Sequence, residues 1–210
     1  MPFIHQETLE DQTRVGIWEI TESESHLSGL LELSPEELQS CNRRSARLKR
    51  MQFLAARAAL QEMMGAAIHV HYRESGRPFV PASQVDISIS HANNLVAVAV
   101  SQGPKVGIDI EKGLRPNLEK ARTYFLSDRE LQEIGEDASL EQLHIYWSAK
   151  EALYKYADCT GLSMKENLYI KPFPMATSGR LTGYVVGEVV PMIFRTATGY
   201  RWVVTLYQPV

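Results

Sequence analysis

The sequence predicts an α+β protein whose two similar halves follow one another along the chain. In each half, helical segments lie between strands, and a turn-rich stretch at residues 101–104 separates the two runs. No sequence repeat of fixed short period is visible, which argues against solenoids and propellers. We therefore expect halves at residues 1–104 and 105–210, related by a pseudo-twofold axis.

The first half contains one strong helix signal. Ser34 is followed by Pro35 and, three positions on, by Glu37, which is the pattern of a capping box. Apolar residues then recur at three- and four-residue steps as far as Gly65, so helix continues to that point, with a break near residues 41–42 left open. Strands are predicted at residues 14–20, 69–72, 85–90 and 95–100.

The second half opens with a strand at residues 106–111. Helices are predicted at residues 117–125, 127–134 and 139–156. The closing strands are expected at residues 168–171, 181–189, 192–195 and 200–207.

Composition narrows the class of protein. A hydrophobic fraction of 44% with 22% charged residues is typical of folded globular chains. The formal net charge of -3 argues against general nucleic-acid binding, and the longest apolar run, residues 95–100, is too short to cross a membrane. The first residues lack the basic and apolar pattern of a secretion signal. We expect a monomeric cytoplasmic protein without nucleic-acid or membrane partners.

Two segments carry carboxylates in a chemically suggestive pattern. Asp109 and Glu111 alternate with isoleucines in the predicted strand, so both point to the same face. Glu151 and Lys155 lie one turn apart on the predicted helix. Taken alone, the strand pattern is more typical of a half-exposed strand, and the helix pair of a surface ion pair. Alternatively, the three carboxylates surround Mg²⁺ while the lysine holds phosphate oxygens.

Basic residues could form the anion-binding part of such a site. Arg43, Arg47, Arg50 and Arg57 fall at helical spacing on roughly one face. Such stripes are usually solvated, but together with His91 they suit an anion that carries several phosphates.

These segments, taken in order, resemble the signature of the surfactin-type 4'-phosphopantetheinyl transferases. The combination of the strand and the helix is specific, whereas the shorter motifs are weak alone. The motifs are Gly76-Arg77-Pro78, Ile89-Ser90-His91, Val106-Gly107-Ile108-Asp109-Ile110-Glu111, Phe125-Leu126-Ser127 with Glu130, and Trp147-Ser148-Ala149-Lys150-Glu151-Ala152 with Lys155.

The resemblance implies a role for each matching residue. Asp109, Glu111 and Glu151 would bind Mg²⁺ with the pyrophosphate of coenzyme A, and Lys155 would contact that pyrophosphate. The residues implied to bind the rest of the coenzyme are Arg57, Ser90 and His91 at or near the 3'-phosphate, Gly76, Arg77 and Pro78 beside the adenine, and Arg44 as a further phosphate contact.

The implied reaction is attack by a serine of an apo carrier protein on the β-phosphate of coenzyme A, with release of 3',5'-ADP. Asp109, Glu151 and Lys155 form the implied catalytic set. Either Glu151 or a metal-held water could be the base. Residues 112–125 are expected to begin the carrier-docking surface. The alternatives are a non-catalytic module that binds coenzyme A or a carrier, and a Mg²⁺-dependent phosphohydrolase.

Overall fold

The computed structural model describes residues 3–103 and 105–207. Helices and antiparallel sheets occur together, which confirms the predicted α+β class. The elements before residue 104 are β1 (Phe3–Thr8), β2 (Arg14–Glu19), α1 (Glu24–Gly29), α2 (Pro35–Asn42), α3 (Arg47–Met64), β3 (His71–Tyr72), β4 (Pro78–Phe79), β5 (Asp86–Ala92) and β6 (Leu95–Ser101). Those after it are β7 (Ile108–Lys112), α4 (Asn117–Phe125), α5 (Asp128–Ile134), α6 (Leu140–Ala157), α7 (Met164–Asn167), β8 (Leu168–Ile170), β9 (Ser178–Val185), β10 (Glu188–Ala197) and β11 (Tyr200–Thr205).

The first sheet has four antiparallel strands in the order β1, β2, β6, β5. Strand β6 is buried along its whole length, because both of its faces are covered. Val96 and Val98 point towards α3 and share a core with its buried side chains. Leu95 and Ala97 point the other way and belong to a separate core. The near-continuous apolar character of β6 follows from this double burial.

The second sheet has five antiparallel strands in the order β7, β11, β10, β9, β8. Helix α6 packs on one of its faces, where Leu153 shares a core with Leu181 and Val203. Ser139 caps α6 at its start by accepting a hydrogen bond from the backbone of Gln142 at 3.1 Å. Strand β7 is the first strand in this order, so it lies at the edge of the sheet and, among the described strands, pairs only with β11.

The two sheets face each other across a third core. Side chains of the first sheet such as Val15 and Ile17 pack there with Ile108, Trp202 and Val204 of the second. Each long helix covers the opposite face of its own sheet. The chain thus stacks as helix, sheet, sheet, helix, and β5 and β7 come together at one edge of this stack.

Several sequence predictions need correction. The break left open near residues 41–42 of the first long helix is present but falls at residues 43–46, so α2 and α3 are separate. The strand expected at residues 181–189 is two strands, because Val186 and Gly187 adopt positive φ angles of 49° and 83° and turn the chain back. Strand β1 and helix α1 were not predicted. Residue 104, at the expected boundary between halves, lies outside the described residues.

No helix in the described part of the chain combines the length and the apolar character that a membrane span needs.

Candidate active site

Strand β7 places two carboxylates on one face. Ile108 and Ile110 are buried between the sheets, and Asp109 and Glu111 alternate with them. Asp109 is only 5% exposed, whereas Glu111 lies nearer the surface. The sequence-based expectation that the two side chains share a face agrees with this arrangement.

Helix α6 passes directly over the start of β7. Its close approach depends on Gly107, since a Cβ atom there would lie 2.0 Å from the carbonyl oxygen of Ala152. The contact brings Glu151 and Lys155, one residue before and three after Ala152, to the strand carboxylates. Glycine in this motif is thus required by packing.

Lys155 connects the helix, the strand and the first sheet. Its Nζ donates to Oδ1 of Asp109 at 2.9 Å, to Oγ of Ser90 at 3.0 Å and to the carbonyl oxygen of Ile108 at 3.0 Å. Ser90 in turn donates to Oδ1 of Asp109 at 2.8 Å. The three predicted residues therefore form one network that joins β5 to β7 and α6.

Glu111 is held by a different pair of donors. Nε1 of Trp147 on α6 donates to its Oε1 at 2.9 Å, and the guanidinium of Arg115 forms an ion pair with the same oxygen. Trp147, quoted in the motif without a role, thus fixes a carboxylate.

Two of the three carboxylates, Glu111 and Glu151, have a raised pKa. Burial and the charge of Asp109 raise the pKa of Glu111, and burial with the charges of Asp109 and Glu111 raises that of Glu151. Desolvation and the ammonium groups of Lys49 and Lys155 lower the pKa of His91. The site therefore holds excess negative charge on one side and excess positive charge on the other.

Two cavities meet at this point. The carboxylate cavity, about 500 Å³ in volume, is bordered by Asp109, Glu111 and Glu151. The arginine cavity, about 470 Å³ in volume, is bordered by Arg44, Arg57 and Arg77. Both volumes are in the range of small-molecule sites. The two cavities share the lining residues Ile89, His91, Glu151 and Lys155.

Every residue to which the family resemblance assigns a role borders one of these cavities. The arginine cavity contains Arg44, Arg57, Gly76, Arg77, Pro78, His91, Glu151 and Lys155, and the carboxylate cavity contains Ser90, His91, Asp109, Glu111, Glu151 and Lys155. The fold brings together segments that are up to 111 positions apart, from Arg44 to Lys155.

Arg57 is more enclosed than the sequence suggests. It is 2% exposed, its Nε donates to Glu37 at 2.7 Å, and its guanidinium lies 3.3 Å from the centre of the Phe53 ring. Glu37 also accepts from the backbone of Val70 at 3.0 Å. Much of the charge of Arg57 is therefore offset before any ligand arrives, and its phosphate-binding role stays a prediction.

The other arginines of the predicted basic stripe do not converge on the cavity. Arg43 follows the end of α2, and Arg50 pairs with Glu24 of α1 at 2.6 Å. Arg44 does border the arginine cavity, where it lies 4.3 Å from the centre of the Phe53 ring. The break between α2 and α3 separates Arg43 from the rest of the stripe, whereas Arg50 shares α3 with Arg57 but pairs with α1.

Arg77 links the segment before β4 to β5, to the residues before β7 and to α6. Its guanidinium is buried, forms an ion pair with Asp86, and donates to the carbonyl oxygens of Val106 at 3.0 Å and of Lys155. Gly76 beside it has a φ of 86°, which favours glycine. The cavity wall at these residues is thus tied to β7 and α6.

Lys150 of the α6 motif is paired in the protein interior, away from the two cavities. Lys150 and Glu130 are fully buried and paired at 2.6 Å, and Lys150 also donates to the carbonyl oxygens of Phe125, Met164 and Leu168. Glu130 closes the capping box of α5. Glu130 borders neither cavity, so its observed contacts are with the fold around α6.

Sequence reasoning missed several lining residues of the arginine cavity. Lys49, Gln52 and Phe53 on α3 border it, as does Tyr72 of β3. The signal was present, because positions 49, 52, 53 and 57 fall at helical spacing on one face. Reading only the arginines obscured it.

The described residues do not form a preformed metal cluster. In residues 3–103 and 105–207, no three His, Cys, Asp or Glu side chains are placed closely enough to hold a metal ion. Asp109 and Glu111 instead face Lys155 and Arg115. The residue types still fit a hard divalent cation. Oδ2 of buried Asp109 has no hydrogen-bond partner in the described part of the chain, and the carboxylates repel one another.

Comparison with known proteins agrees with these motifs. Residues 105–202 match the model of the 4'-phosphopantetheinyl transferase superfamily. The 4'-phosphopantetheinyl transferase AcpT of Escherichia coli (strain K12) is 30% identical over 113 residues, which cover 51% of this chain and 57% of the relative. A 4'-phosphopantetheinyl transferase of Bacillus subtilis is 32% identical over 102 residues, which cover 47% of this chain and 45% of the relative.

The chain thus spans about half the length of the curated relatives that it matches. The family match contains Asp109, Glu111, Glu151 and Lys155, and it ends within β11. The strand and helix motifs of the site thus lie in the part of the chain, residues 105–202, that is similar to the 4'-phosphopantetheinyl transferase superfamily.

Proposed function

We propose that the protein transfers the 4'-phosphopantetheine group of coenzyme A to a serine of an apo carrier protein and releases 3',5'-ADP. The observation that carries this proposal is the union of the two cavities. Carboxylates suited to a divalent cation lie beside a basic cavity, and Glu151 and Lys155 border both. A pyrophosphate that crosses this junction would meet the cation and the lysine together.

The arginine cavity suits the adenosine end of coenzyme A. Arg44, Lys49 and His91 supply positive charge for the 3'-phosphate, and Arg57 adds to it behind Phe53. Gly76, Arg77 and Pro78 provide a fixed wall for the adenine, because Arg77 is held by the second half. Ser90, through its bond to Lys155, would orient the lysine towards the pyrophosphate.

Asp109, Glu111 and Glu151 would hold Mg²⁺, which would offset the charge of the pyrophosphate when bound. The hydroxyl oxygen of the carrier serine attacks the β-phosphorus, and the bond from that phosphorus to the bridging oxygen breaks. The electron pair leaves with 3',5'-ADP, and Lys155 stabilises the charge that develops.

Glu151 is the proposed base for the serine proton. One oxygen of its carboxylate would bind the cation, and the other would accept the serine proton. It borders both cavities, so a serine entering from the carboxylate side could reach it. The proton ends on its carboxylate.

The proposal also covers the division of the chain, its oligomeric state, its location and its carrier substrates. We place the halves at residues 1–104 and 105–210 and relate them by a pseudo-twofold axis. The long helices α3 and α6, each of 18 residues on its own antiparallel sheet, support that relation. A monomer acting in the cytoplasm on coenzyme A and an apo carrier completes it. Fatty-acid, polyketide and nonribosomal-peptide carriers are all candidate substrates.

One experiment separates transfer from its alternatives. A panel of apo carrier proteins is incubated with the protein, coenzyme A and Mg²⁺, and intact mass spectrometry measures addition of phosphopantetheine while chromatography measures 3',5'-ADP. Transfer predicts that both appear together and only with a carrier. A phosphohydrolase would release 3',5'-ADP without one, and a binding module would release none.

A further inference from the structure

The loop that follows β7 is anchored from the protein interior. The backbone N–H of Gly113 donates to the carbonyl oxygen of Gly199 at 2.8 Å, and Arg201 donates to the carbonyl oxygen of Gly113 at 2.7 Å. The backbone N–H of Arg115 donates to Nε2 of His144 at 2.7 Å, and His144 is fully buried on α6. These hydrogen bonds fix the backbone position from which the side chain of Arg115 extends.

The side chain of Arg115 ends on a carboxylate of the proposed cation site. Its guanidinium pairs with Oε1 of Glu111 and lies 5.3 Å from the centre of the Trp147 ring. Trp147 donates to the same oxygen, so both donors hold one rotamer of the carboxylate. Arg115 also borders the carboxylate cavity with Asp109 and Glu151.

Residues 111 and 115 are not neighbours on a helix, because Glu111 is in β7 and Arg115 is in the loop beyond it. Their pairing therefore needs the path that the buried anchors impose on the chain. A carboxylate among like charges gains from a cation beside it, and Arg115 is the cation that the fold delivers there.

We propose that Arg115 is an internal counter-ion that holds Glu111 in place before a divalent cation binds and that must leave this carboxylate when the cation arrives. The inference rests on the proposed function and deepens it. Since the guanidinium and the cation compete for one carboxylate, Arg115 weakens cation binding when coenzyme A is absent. It acts through Glu111 and is a positioning residue.

The test measures binding of Mn²⁺ alone to the full chain without coenzyme A, by electron paramagnetic resonance of free Mn²⁺. Arg115→Ala should bind Mn²⁺ about three- to fivefold more tightly than wild type, a modest gain because the ion pair is partly solvated. Arg115→Lys keeps the charge and should differ from wild type by less than about twofold. Equal or weaker binding by Arg115→Ala overturns the proposal.

A matched control uses Arg129, whose ion pair with Glu133 also spans four positions but lies away from the cavities. Arg129→Ala should leave Mn²⁺ affinity unchanged, and a gain equal to that of Arg115→Ala would show a general charge effect and overturn the proposal. If Arg115→Ala does not fold, Arg115→Gln removes the charge with a side chain of similar polarity and gives the same test.

A second measurement follows Trp147 directly. Addition of Mg²⁺ should change the tryptophan emission of the wild type as Arg115 leaves the ring, and Arg115→Gln should lose that change. Trp147→Phe identifies the signal, because Trp18 and Trp202 are buried in other cores. An identical Mg²⁺ response in wild type and Arg115→Gln contradicts the proposal.

The two proposals fail in different ways. A wild-type chain that modifies carriers, with no gain of Mn²⁺ affinity in Arg115→Ala, overturns the counter-ion role alone. A wild-type chain that modifies no carrier, while Arg115→Ala gains Mn²⁺ affinity, overturns the proposed transfer and supports the counter-ion role.

Discussion

The ammonium group of Lys155 on α6 donates to Oδ1 of Asp109 on β7 at 2.9 Å and so neutralises a carboxylate that is only 5% exposed. The same nitrogen reaches Ser90 of the first sheet. One lysine thus connects α6 to a strand of each sheet at the place where the two cavities meet. Its charge is placed to act on any phosphate that binds there.

Lys155→Ala should reduce kcat for carrier modification by about 10²- to 10³-fold, because a preorganised positive charge at the leaving group is lost. Steady-state kinetics with saturating coenzyme A and carrier measure the loss. Lys171→Ala removes an exposed lysine that borders neither cavity, and it serves as the control. A Lys155→Ala protein that folds and keeps wild-type kcat would exclude the lysine from catalysis.

Gly107→Ala should move α6 away from β7. The added Cβ would overlap the carbonyl oxygen of Ala152, a backbone atom that cannot rotate aside. We expect a loss of about 1–3 kcal/mol in the free energy of unfolding and a fall in activity, since Glu151 and Lys155 follow the helix. Urea denaturation and transfer assays measure the two effects.

Gly29→Ala is the matched control for Gly107. Gly29 ends α1, and a Cβ there would meet no atom within 4 Å. It should leave stability equal to or slightly above that of the wild type. Equal effects of the two substitutions would show that close packing at Gly107 does not position α6.

Local patterns were sufficient to predict some of this site. Alternation in β7 placed Asp109 and Glu111 on one face, and helical spacing placed Glu151 with Lys155, because both depend only on backbone periodicity. The enclosure of Arg57 by Glu37 could not be predicted in this way. That pair is 20 positions apart and depends on how α2 packs against α3.

The pairing of Arg115 with Glu111 was equally hidden. It follows from the anchor between the backbone of Arg115 and His144, 29 positions away. The run at residues 181–189 misled for a different reason: its apolar residues continue through the turn at Val186 and Gly187, so periodicity gave no sign of the reversal.

His91→Ala should raise KM for coenzyme A with little change in kcat. His91 borders both cavities and lies near Lys49 and Lys155, but the bond that breaks is remote from the 3'-phosphate that it is proposed to bind. The free energy of coenzyme A binding should become less favourable by about 1.5–3 kcal/mol if the ring donates to that phosphate. Dephospho-coenzyme A, which lacks the phosphate, should reduce the difference between mutant and wild type.

Arg57→Ala is a poorer probe of the same phosphate. It would leave the buried carboxylate of Glu37 without its arginine, which costs about 3–5 kcal/mol of stability.

For His91→Ala, an equal rise in KM with coenzyme A and with dephospho-coenzyme A would contradict the 3'-phosphate assignment.

His144 should make stability depend on pH. Burial, with the charges of Arg201 and Arg115, lowers its pKa from 6.5 to about 4. A depressed folded-state pKa contributes stability above pH 6.5 that is lost as the pH falls towards 4, at up to about 1.4 kcal/mol per unit. His144→Gln should flatten that part of a melting-temperature profile. An unchanged slope between these pH values would contradict the neutral buried histidine.

The carrier-docking surface is expected in residues 112–125, and the structure identifies the best probes within it. Lys120 is exposed, and Tyr124 is 83% exposed on the same helix α4. Arg122 is half-buried and donates to the carbonyl oxygen of Glu136 at 3.2 Å, and Arg115 is paired with Glu111. Charge reversal at either arginine would disturb local structure or the proposed cation site as well as docking.

Lys120→Glu should therefore raise the apparent KM for an acidic carrier, most strongly at low ionic strength, because added salt screens the attraction of exposed charges. Its KM for coenzyme A should stay constant, since Lys120 borders neither cavity. Tyr124→Ala should raise the carrier KM at every salt concentration, as expected for an apolar contact. Lys171→Glu makes the same charge change outside the segment, and carrier kinetics that respond equally to both reversals would place the docking surface elsewhere.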